Sequence, residues 1–112
     1  MTPLKVDCRR ITDTKTFHDT FSALFGFPAT YGRNMDAWID CLTDLDKPDR
    51  GVTKVSVPKG GVVTLWLEHV ADFANRCPEL YQSILEGTAF INFRRVEMKQ
   101  APVLALAFDK SS

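Results

Sequence analysis

Three short segments constrain the fold of this chain more than any other feature of its sequence. Residues 62–67 and 103–108 are nearly continuous runs of aliphatic and β-branched side chains, which is typical of strands buried inside a sheet. Residues 4–8 alternate apolar and polar side chains and predict a shorter first strand. The intervening segments have helical spacing, and strands separated by helices are joined by crossovers that keep them parallel. We therefore predict an α/β fold with a small, mainly parallel three-stranded sheet and about four helices, in which residues 62–67 form a central strand covered on both faces.

The first two helices are marked by their caps and by rows of apolar side chains. Thr12 or Asp13 can accept hydrogen bonds from the free amides of a first turn, and Gly26 lies where that helix would end. Asn34 is a favourable cap for the second helix. The rows that should face the core are Phe17, Phe21, Leu24 and Phe25 in the first helix and Met35, Trp38, Leu42 and Leu45 in the second.

The second half of the chain predicts one loop and two more helices. Residues 46–61 are rich in Pro, Gly and charge and should form an inserted loop or exposed hairpin, in which residues 53–57 alternate like a strand. Residues 70–76 predict a short helix, and Pro78 can open a longer one because its missing amide costs nothing in a first turn. Residues 88–93 have the composition of a strand, but the continuing apolar pattern favours a helix.

Length and charge limit what the chain can do. The 112 residues fit a single domain, and a formal net charge of zero gives no general attraction to nucleic acid or to an anionic membrane. No apolar run approaches the length of a membrane span. An odd number of cysteines without a signal peptide favours reduced thiols in the cytoplasm, and we expect His18 and His69 at the surface or at a helix end. We expect a soluble cytoplasmic monomer with no metal and no cofactor.

Acidic side chains collect on the outward face of the second helix. At about 100° per residue, Asp36 and Asp40 lie nearly opposite the apolar row, and Thr43 and Asp44 should share their surface. Like charges four residues apart destabilise a helix by about 0.2–0.5 kcal/mol per pair. A binding surface would tolerate this repeated cost. The alternative is that these are ordinary solvated acids.

Residues 31–43, with the sequence YGRNMDAWIDCLT, resemble the signature of the barstar family. The shared pattern is Tyr-Gly, one residue, Asn, one residue, Asp-Ala, two residues, and then Asp-Cys-Leu-Thr. Residues 11–13 and the pair Phe27-Pro28 also resemble that family's first helix and the loop that follows it. The resemblance covers roughly residues 11–45, and so many matched residue types at fixed spacing make it specific.

The resemblance implies a three-stranded parallel sheet with helices and a protein that blocks the active site of a barnase-like ribonuclease. It implies that Asp40 is the main anchor and Asp36 its partner, while Gly32 and Asn34 make loop contacts and Thr43 lies at the rim. A nuclease site that holds phosphodiester is basic, so two carboxylates one turn apart can occupy phosphate positions. The residues predicted to contact the partner are Tyr31, Gly32, Arg33, Asn34, Asp36, Asp40, Thr43 and Asp44.

Two other classes of function have to be weighed against this hypothesis. The chain is neutral, carries Arg33 inside the loop, has a longer segment at residues 46–61, and places Arg94 and Arg95 where the family has a later acidic contact. These departures leave room for a barstar-like binding module whose partner is not a nuclease. An enzyme that used the two aspartates as an acid–base pair would need a pocket that shifts one pKa and a third participant. An outward helix face offers neither, so we predict that the chain is not an enzyme.

Overall fold

The computed structural model describes residues 2–109, which fold into one parallel sheet with helices. The strands are β1 (Leu4–Asp7), β2 (Val63–Glu68) and β3 (Leu104–Phe108). The helices are α1 (Thr14–Phe25), α2 (Met35–Thr43), α3 (Val70–Arg76) and α4 (Pro78–Glu97). Short 3₁₀ turns occupy Cys8–Arg10 and Pro48–Arg50, the second of them inside the long loop at residues 46–61. The predicted α/β class, with three parallel strands and four helices, is confirmed.

β2 is the central strand of the sheet, as predicted. It pairs in parallel with β1, where Leu4 lies opposite Leu65, and with β3, where Leu65 lies opposite Leu106. The strand order β1-β2-β3 means that both crossovers move in the same direction across the sheet. Because crossovers between parallel strands are right-handed, both crossovers place their helices on the same face.

One face of β2 is buried and the other is partly open, so the prediction that β2 is covered on both faces is wrong. Val63, Leu65 and Leu67 are fully buried in the core that the sheet shares with the helices. On the opposite face, Trp66 is 38% exposed. The ammonium group of Lys5 lies over the Trp66 ring, 5.7 Å from its centroid. β2 therefore has one buried face and one face that is partly exposed to solvent, because the two crossovers leave the second face without a helix.

Caps and aromatic contacts fix α1 and α2 against the core. Asp13 caps α1, and its carboxylate accepts a hydrogen bond from a first-turn amide at 2.8 Å. Gly26 ends the helix in the left-handed conformation, with φ of 65°, which glycine adopts without steric cost. Trp38 of α2 is fully buried and meets Phe21 edge-on, with ring centroids 5.5 Å apart. α2, which carries the predicted acidic surface, is thus packed firmly against α1.

α4 runs unbroken from Pro78 to Glu97, which confirms the helix rather than the strand for residues 88–93. Gly87 lies where α4 meets α2, and a Cβ atom at this position would be 2.8 Å from Cζ3 of Trp38. Glycine therefore allows the two helices to approach more closely than any other residue would. Although α4 is 20 residues long, no helix within residues 2–109 is both long and apolar enough to cross a membrane.

Of the two alternatives predicted for residues 46–61, the structure has the loop and not the hairpin, since residues 53–57 form no strand. The amide of Lys54 donates to the carbonyl of Phe25 at 2.7 Å, and the amide of Val57 donates to the carbonyl of Leu45 at 2.9 Å. The backbone of the segment is thereby bound to the last residue of α1 and to the chain just after α2. An alternating pattern forms a strand only where a neighbouring strand supplies hydrogen-bond partners, and here the partners belong to no strand.

Candidate functional site

α2 presents the two predicted anchor carboxylates to solvent. Asn34 caps the helix as predicted, because its side-chain oxygen accepts a hydrogen bond from the amide of Ala37 at 2.8 Å. Trp38 fills the inner side, so that Asp36 and Asp40 lie outward, and the side chain of Asp40 is 69% exposed. The two carboxylates are one turn apart, with about 5–6 Å between Cβ atoms. The cap and the core contacts of α2 hold them at that spacing.

The loop before α2 is tied to α1 through a buried hydrogen bond. The Tyr31 hydroxyl lies 2.6 Å from Nδ1 of His18, and both side chains are buried, so the expectation that His18 lies at the surface or at a helix end is wrong. Burial lowers the pKa of His18, and the positive charge of Arg33 acts in the same direction. Burial also raises the pKa of Tyr31 above its usual range. Tyr31 therefore positions the loop from inside, and little of its side chain is open to a partner.

Gly32, Arg33 and Asn34 are exposed in the part of this loop that leads into α2. Arg33 adopts the left-handed conformation, with φ of 56°, which costs a residue with a side chain on the order of 1–3 kcal/mol. Its guanidinium turns back to α1, where it donates to Asp19 at 2.7 Å and to the carbonyl of Lys15 at 3.1 Å. The positive charge of Arg33 is therefore paired with α1 and does not neutralise the carboxylates of α2.

Thr43 is buried, and the prediction that it shares the outward surface is wrong. Its side chain is 8% exposed, and its hydroxyl donates to the carbonyl of Ile39 at 2.6 Å. Arg95 of α4 covers this last turn of α2 and donates to the Thr43 carbonyl at 2.8 Å. The helical wheel placed Thr43 in line with Asp36, but a wheel contains no information on the neighbouring helix that covers the end of α2.

Asp44 follows α2 and is neutralised by the loop that comes next. Its side chain is 18% exposed, and its carboxylate lies 3.1 Å from the Lys47 ammonium and 3.8 Å from the Arg50 guanidinium. Both cations belong to the segment 46–61. The acidic surface predicted from the sequence is thus reduced at its C-terminal end, and Asp36 and Asp40 are its exposed carboxylates.

Asp40 itself forms an ion pair that the sequence did not predict. Nη1 of Arg94 in α4 lies 3.2 Å from Oδ1 of Asp40, across 54 residues of sequence. The Arg94 guanidinium also lies over the ring of Phe90, 5.7 Å from its centroid. The sequence placed Arg94 in the neighbourhood of a family contact, but no local pattern links it to Asp40. Only the packing of α4 against α2 brings the two side chains together.

A groove between α2 and α4 lies beside the two carboxylates. It has a cavity volume of about 390 Å³ and is lined by Met35, Ile39, Ser83, Glu86, Gly87 and Phe90. Phe90 is 48% exposed, although it belongs to the apolar pattern that predicted α4. The apolar residues of α4 are spread around the whole helix. Ile84 and Ile91 are seven residues apart and form its buried row, whereas Phe90 lies about 100° away from Ile91. Helical periodicity could therefore have placed Phe90 outside the core.

The exposed carboxylates of α2 are suited to binding basic side chains of another protein and not to catalysis or metal binding. Cys41, next to Asp40 in sequence, is 8% exposed, and burial raises the pKa of its thiol, with the charge of Asp40 adding to this effect. A protonated buried thiol is a poor nucleophile. Within residues 2–109, no cluster of three or more His, Cys, Asp or Glu side chains could hold a metal ion. Exposed carboxylates on a fixed helix can form charge-assisted hydrogen bonds with the arginine and lysine side chains of another protein.

Comparison with known proteins supports the resemblance noted in residues 31–43. The family model described as Barstar (barnase inhibitor) matches residues 1–92. The matched segment includes α1, α2 and every residue of the predicted site, whereas Arg94 and β3 lie beyond it. No curated protein matches the chain significantly. The resemblance found in one helix and its loop thus extends over most of the sequence.

Proposed function

The chain belongs to the barstar family, and we propose that it binds a basic, barnase-like ribonuclease and blocks its active site. The observation that carries the proposal is the pair of exposed carboxylates, Asp36 and Asp40, on the capped helix α2. In this proposal the protein has no catalytic role. It acts as a cytoplasmic monomer without a cofactor and protects the cell from a toxic nuclease.

The chemistry of a ribonuclease site explains why two carboxylates can block it. Such a site holds the phosphodiester of RNA with arginine, lysine and histidine side chains. Asp36 and Asp40 occupy the positions of phosphate groups and form charge-assisted, often bidentate, hydrogen bonds with those side chains. Substrate and inhibitor then compete for the same cations, and inhibition is stoichiometric.

The other predicted residues divide between contact and support. Gly32 and Asn34 are exposed at the start of α2 and meet the rim of the nuclease site. Tyr31 and Arg33 hold the loop to α1 through their hydrogen bonds with His18 and Asp19. Thr43 and Asp44 shape the end of α2 and its junction with the next loop.

A second candidate function is a barstar-fold binding module whose partner is not a nuclease. The pairing of Asp40 with Arg94 favours it, because an anchor that is already neutralised attracts a basic partner less strongly. The two functions differ in the captured partner and in the salt dependence of binding. Binding to a basic nuclease weakens as salt is added, since it depends on attraction between opposite charges.

The experiment is a titration of the protein against barnase in an RNA-cleavage assay. Asp40→Ala is compared with Asp49→Ala, which removes the same charge from an exposed position in the loop after α2. Truncating one partner of a buried charge pair costs about 2–5 kcal/mol, a range to which the barnase–barstar interface itself contributes. We therefore expect Asp40→Ala to weaken inhibition at least about 30-fold and Asp49→Ala to leave it unchanged.

Each other outcome changes a different part of the proposal. Inhibition that survives Asp40→Ala would keep the function and remove Asp40 as the anchor. Absence of inhibition by the wild type would exclude barnase as a partner. A partner should then be isolated from the source cell with the wild type and the Asp40 variant side by side. If that partner is not a nuclease, the binding-module function replaces the proposed one.

A further inference from the structure

Asp40, the proposed anchor, is already occupied by a cation of its own chain. Oδ1 of Asp40 lies 3.2 Å from Nη1 of Arg94, and the two side chains are 69% and 38% exposed. A nuclease that binds Asp40 must place its own arginine or lysine at this same carboxylate, of which Arg94 contacts Oδ1. Arg94 therefore competes directly with the proposed partner for Asp40.

The Arg94 guanidinium is held near Asp40 from several sides. The ring of Phe90, one turn earlier in α4, lies beneath it at 5.7 Å from the centroid. The backbone of α4 at this point is fixed by the next residue, Arg95, which is buried and hydrogen-bonded to the carbonyl of Thr43 in α2. A side chain stacked on a ring and carried by an anchored helix loses little entropy when it pairs. The position of α4 and the ring of Phe90 thus favour the pairing of Arg94 with Asp40.

The two anchor carboxylates therefore differ in whether an arginine of the same chain already neutralises them. Asp36 is exposed and forms no ion pair within residues 2–109, whereas Asp40 is paired with Arg94. Asp44, the next acid along the chain, is paired with Lys47 and Arg50. A partner that approaches with cations alone meets one open carboxylate, and at Asp40 its positive charge is opposed by that of Arg94.

We propose that Arg94 is a specificity-determining residue, which admits only partners that offer an acceptor for its guanidinium beside the cation that binds Asp40. The inference rests on the proposed function and identifies the kind of nuclease surface that fits. Like charges brought together at an interface disfavour the wrong partner. A carboxylate or carbonyl on the correct partner accepts a hydrogen bond from the guanidinium of Arg94, so that the positive charge of Arg94 keeps a partner after Asp40 is bound.

The test is a double-mutant cycle between Arg94 and Asp40, with affinity for barnase measured by calorimetry at two salt concentrations. Arg10→Ala is the matched control, because Arg10 is a 79% exposed arginine beside β1 and its removal changes net charge equally. We expect Arg94→Ala to bind barnase at least ten-fold more tightly than the wild type, with a steeper salt dependence. Arg10→Ala should stay within two-fold of the wild type, and the gain should vanish when Asp40→Ala is added. An unchanged affinity, or a gain that persists without Asp40, would overturn the role of Arg94, whereas a weaker affinity that depends on Asp40 would identify barnase as a partner that offers an acceptor to the Arg94 guanidinium.

A second probe separates this inference from the proposed function. Hexa-arginine peptide carries the cations of a nuclease site without its fold, and its binding is followed by the backbone amide shifts of Asp40 and Cys41 in nuclear magnetic resonance spectra. We expect these shifts to saturate at a lower peptide concentration in Arg94→Ala than in the wild type. That result with no barnase binding by either protein would exclude barnase as the partner and keep the role of Arg94. Equal titration curves would overturn that role whatever the nuclease does.

Discussion

Arg94 and Arg95 are neighbours in α4, yet they form ion pairs in opposite environments. Arg95 is 2% exposed, and both of its terminal nitrogens bind the Asp46 carboxylate, at 3.0 and 2.7 Å. It also donates to the carbonyls of Ala101 at 2.6 Å and Thr43 at 2.8 Å. Its guanidinium thus links α4 to the end of α2, to the start of the 46–61 loop and to the segment before β3.

Arg94, by contrast, makes one hydrogen bond at 3.2 Å to the exposed Asp40. Consecutive helical residues lie about 100° apart, which is enough to turn one arginine inward and the next toward solvent. Both pairs consist of the same two functional groups, so their difference in strength comes from burial and from the number of hydrogen bonds. The buried pair serves the fold, and the exposed pair can be exchanged for contacts with a partner.

The largest effect that tests this comparison is expected from Arg95→Ala. Removing one member of a buried ion pair leaves the other charge without a counterpart, which costs about 3–5 kcal/mol. The free energy of unfolding of such a domain is about 5–15 kcal/mol, so the loss should be plain in a urea titration. Arg95→Lys keeps the charge but loses the forked hydrogen bonds, so its free energy of unfolding should lie between those of the wild type and Arg95→Ala. A loss below about 1 kcal/mol for Arg95→Ala would place this pair with the surface pairs.

The pH dependence of stability should report the same buried pair with an intermediate effect. The hydrogen bonds from Arg95 hold the pKa of Asp46 below its ordinary value of 3.8. In the unfolded chain Asp46 regains that ordinary value, so the unfolded state takes up its proton first as the pH falls. The contribution of the pair is therefore complete above about pH 5 and is lost as the pH falls below 3.8 and through the lowered pKa.

Asp46→Asn isolates this contribution from that of the other acids. The measurement is the free energy of unfolding of wild type and variant by urea at a series of pH values. We expect the gap between them to be constant above about pH 5 and to shrink below 3.8. Asp49→Asn is the control, because Asp49 is exposed and forms no ion pair within residues 2–109. A gap for Asp46→Asn that stays constant through the acid range would contradict the role of the pair.

The sequence predicted the elements of the fold because the relevant signals are local. Asn34 caps α2 and Trp38 faces the core as their positions indicated, and the run at residues 62–67 contains the central strand. The alternating pattern at residues 53–57 does not form the hairpin that was one of the two alternatives, because its backbone partners are the last residue of α1 and a residue just after α2. Local patterns determine which conformations a segment can adopt, and the rest of the chain decides whether hydrogen-bond partners are present.

The candidate site was only partly predictable for a related reason. A motif gives residue types at fixed spacing, and this placed Asp36 and Asp40 on the outward face. It could not indicate that Tyr31 turns inward to His18, since that contact depends on how the loop packs on α1. The Arg94 contact with Asp40 depends on the approach of α4 to α2, which no periodicity in either helix encodes.

The smallest effect on stability is expected from Arg94→Ala. It decides whether the ion pair of Arg94 with Asp40 is available for binding a partner. An exposed ion pair contributes about 0–1 kcal/mol to folding and is weakened by salt. The free energy of unfolding of Arg94→Ala should therefore fall by less than about 1 kcal/mol, with an unchanged urea slope. A loss above about 2 kcal/mol would mean that Arg94 supports the fold and is not free to leave Asp40. If stability is kept, a change in nuclease affinity caused by this substitution must arise at the binding surface, because the fold that presents Asp40 is then the same in both proteins.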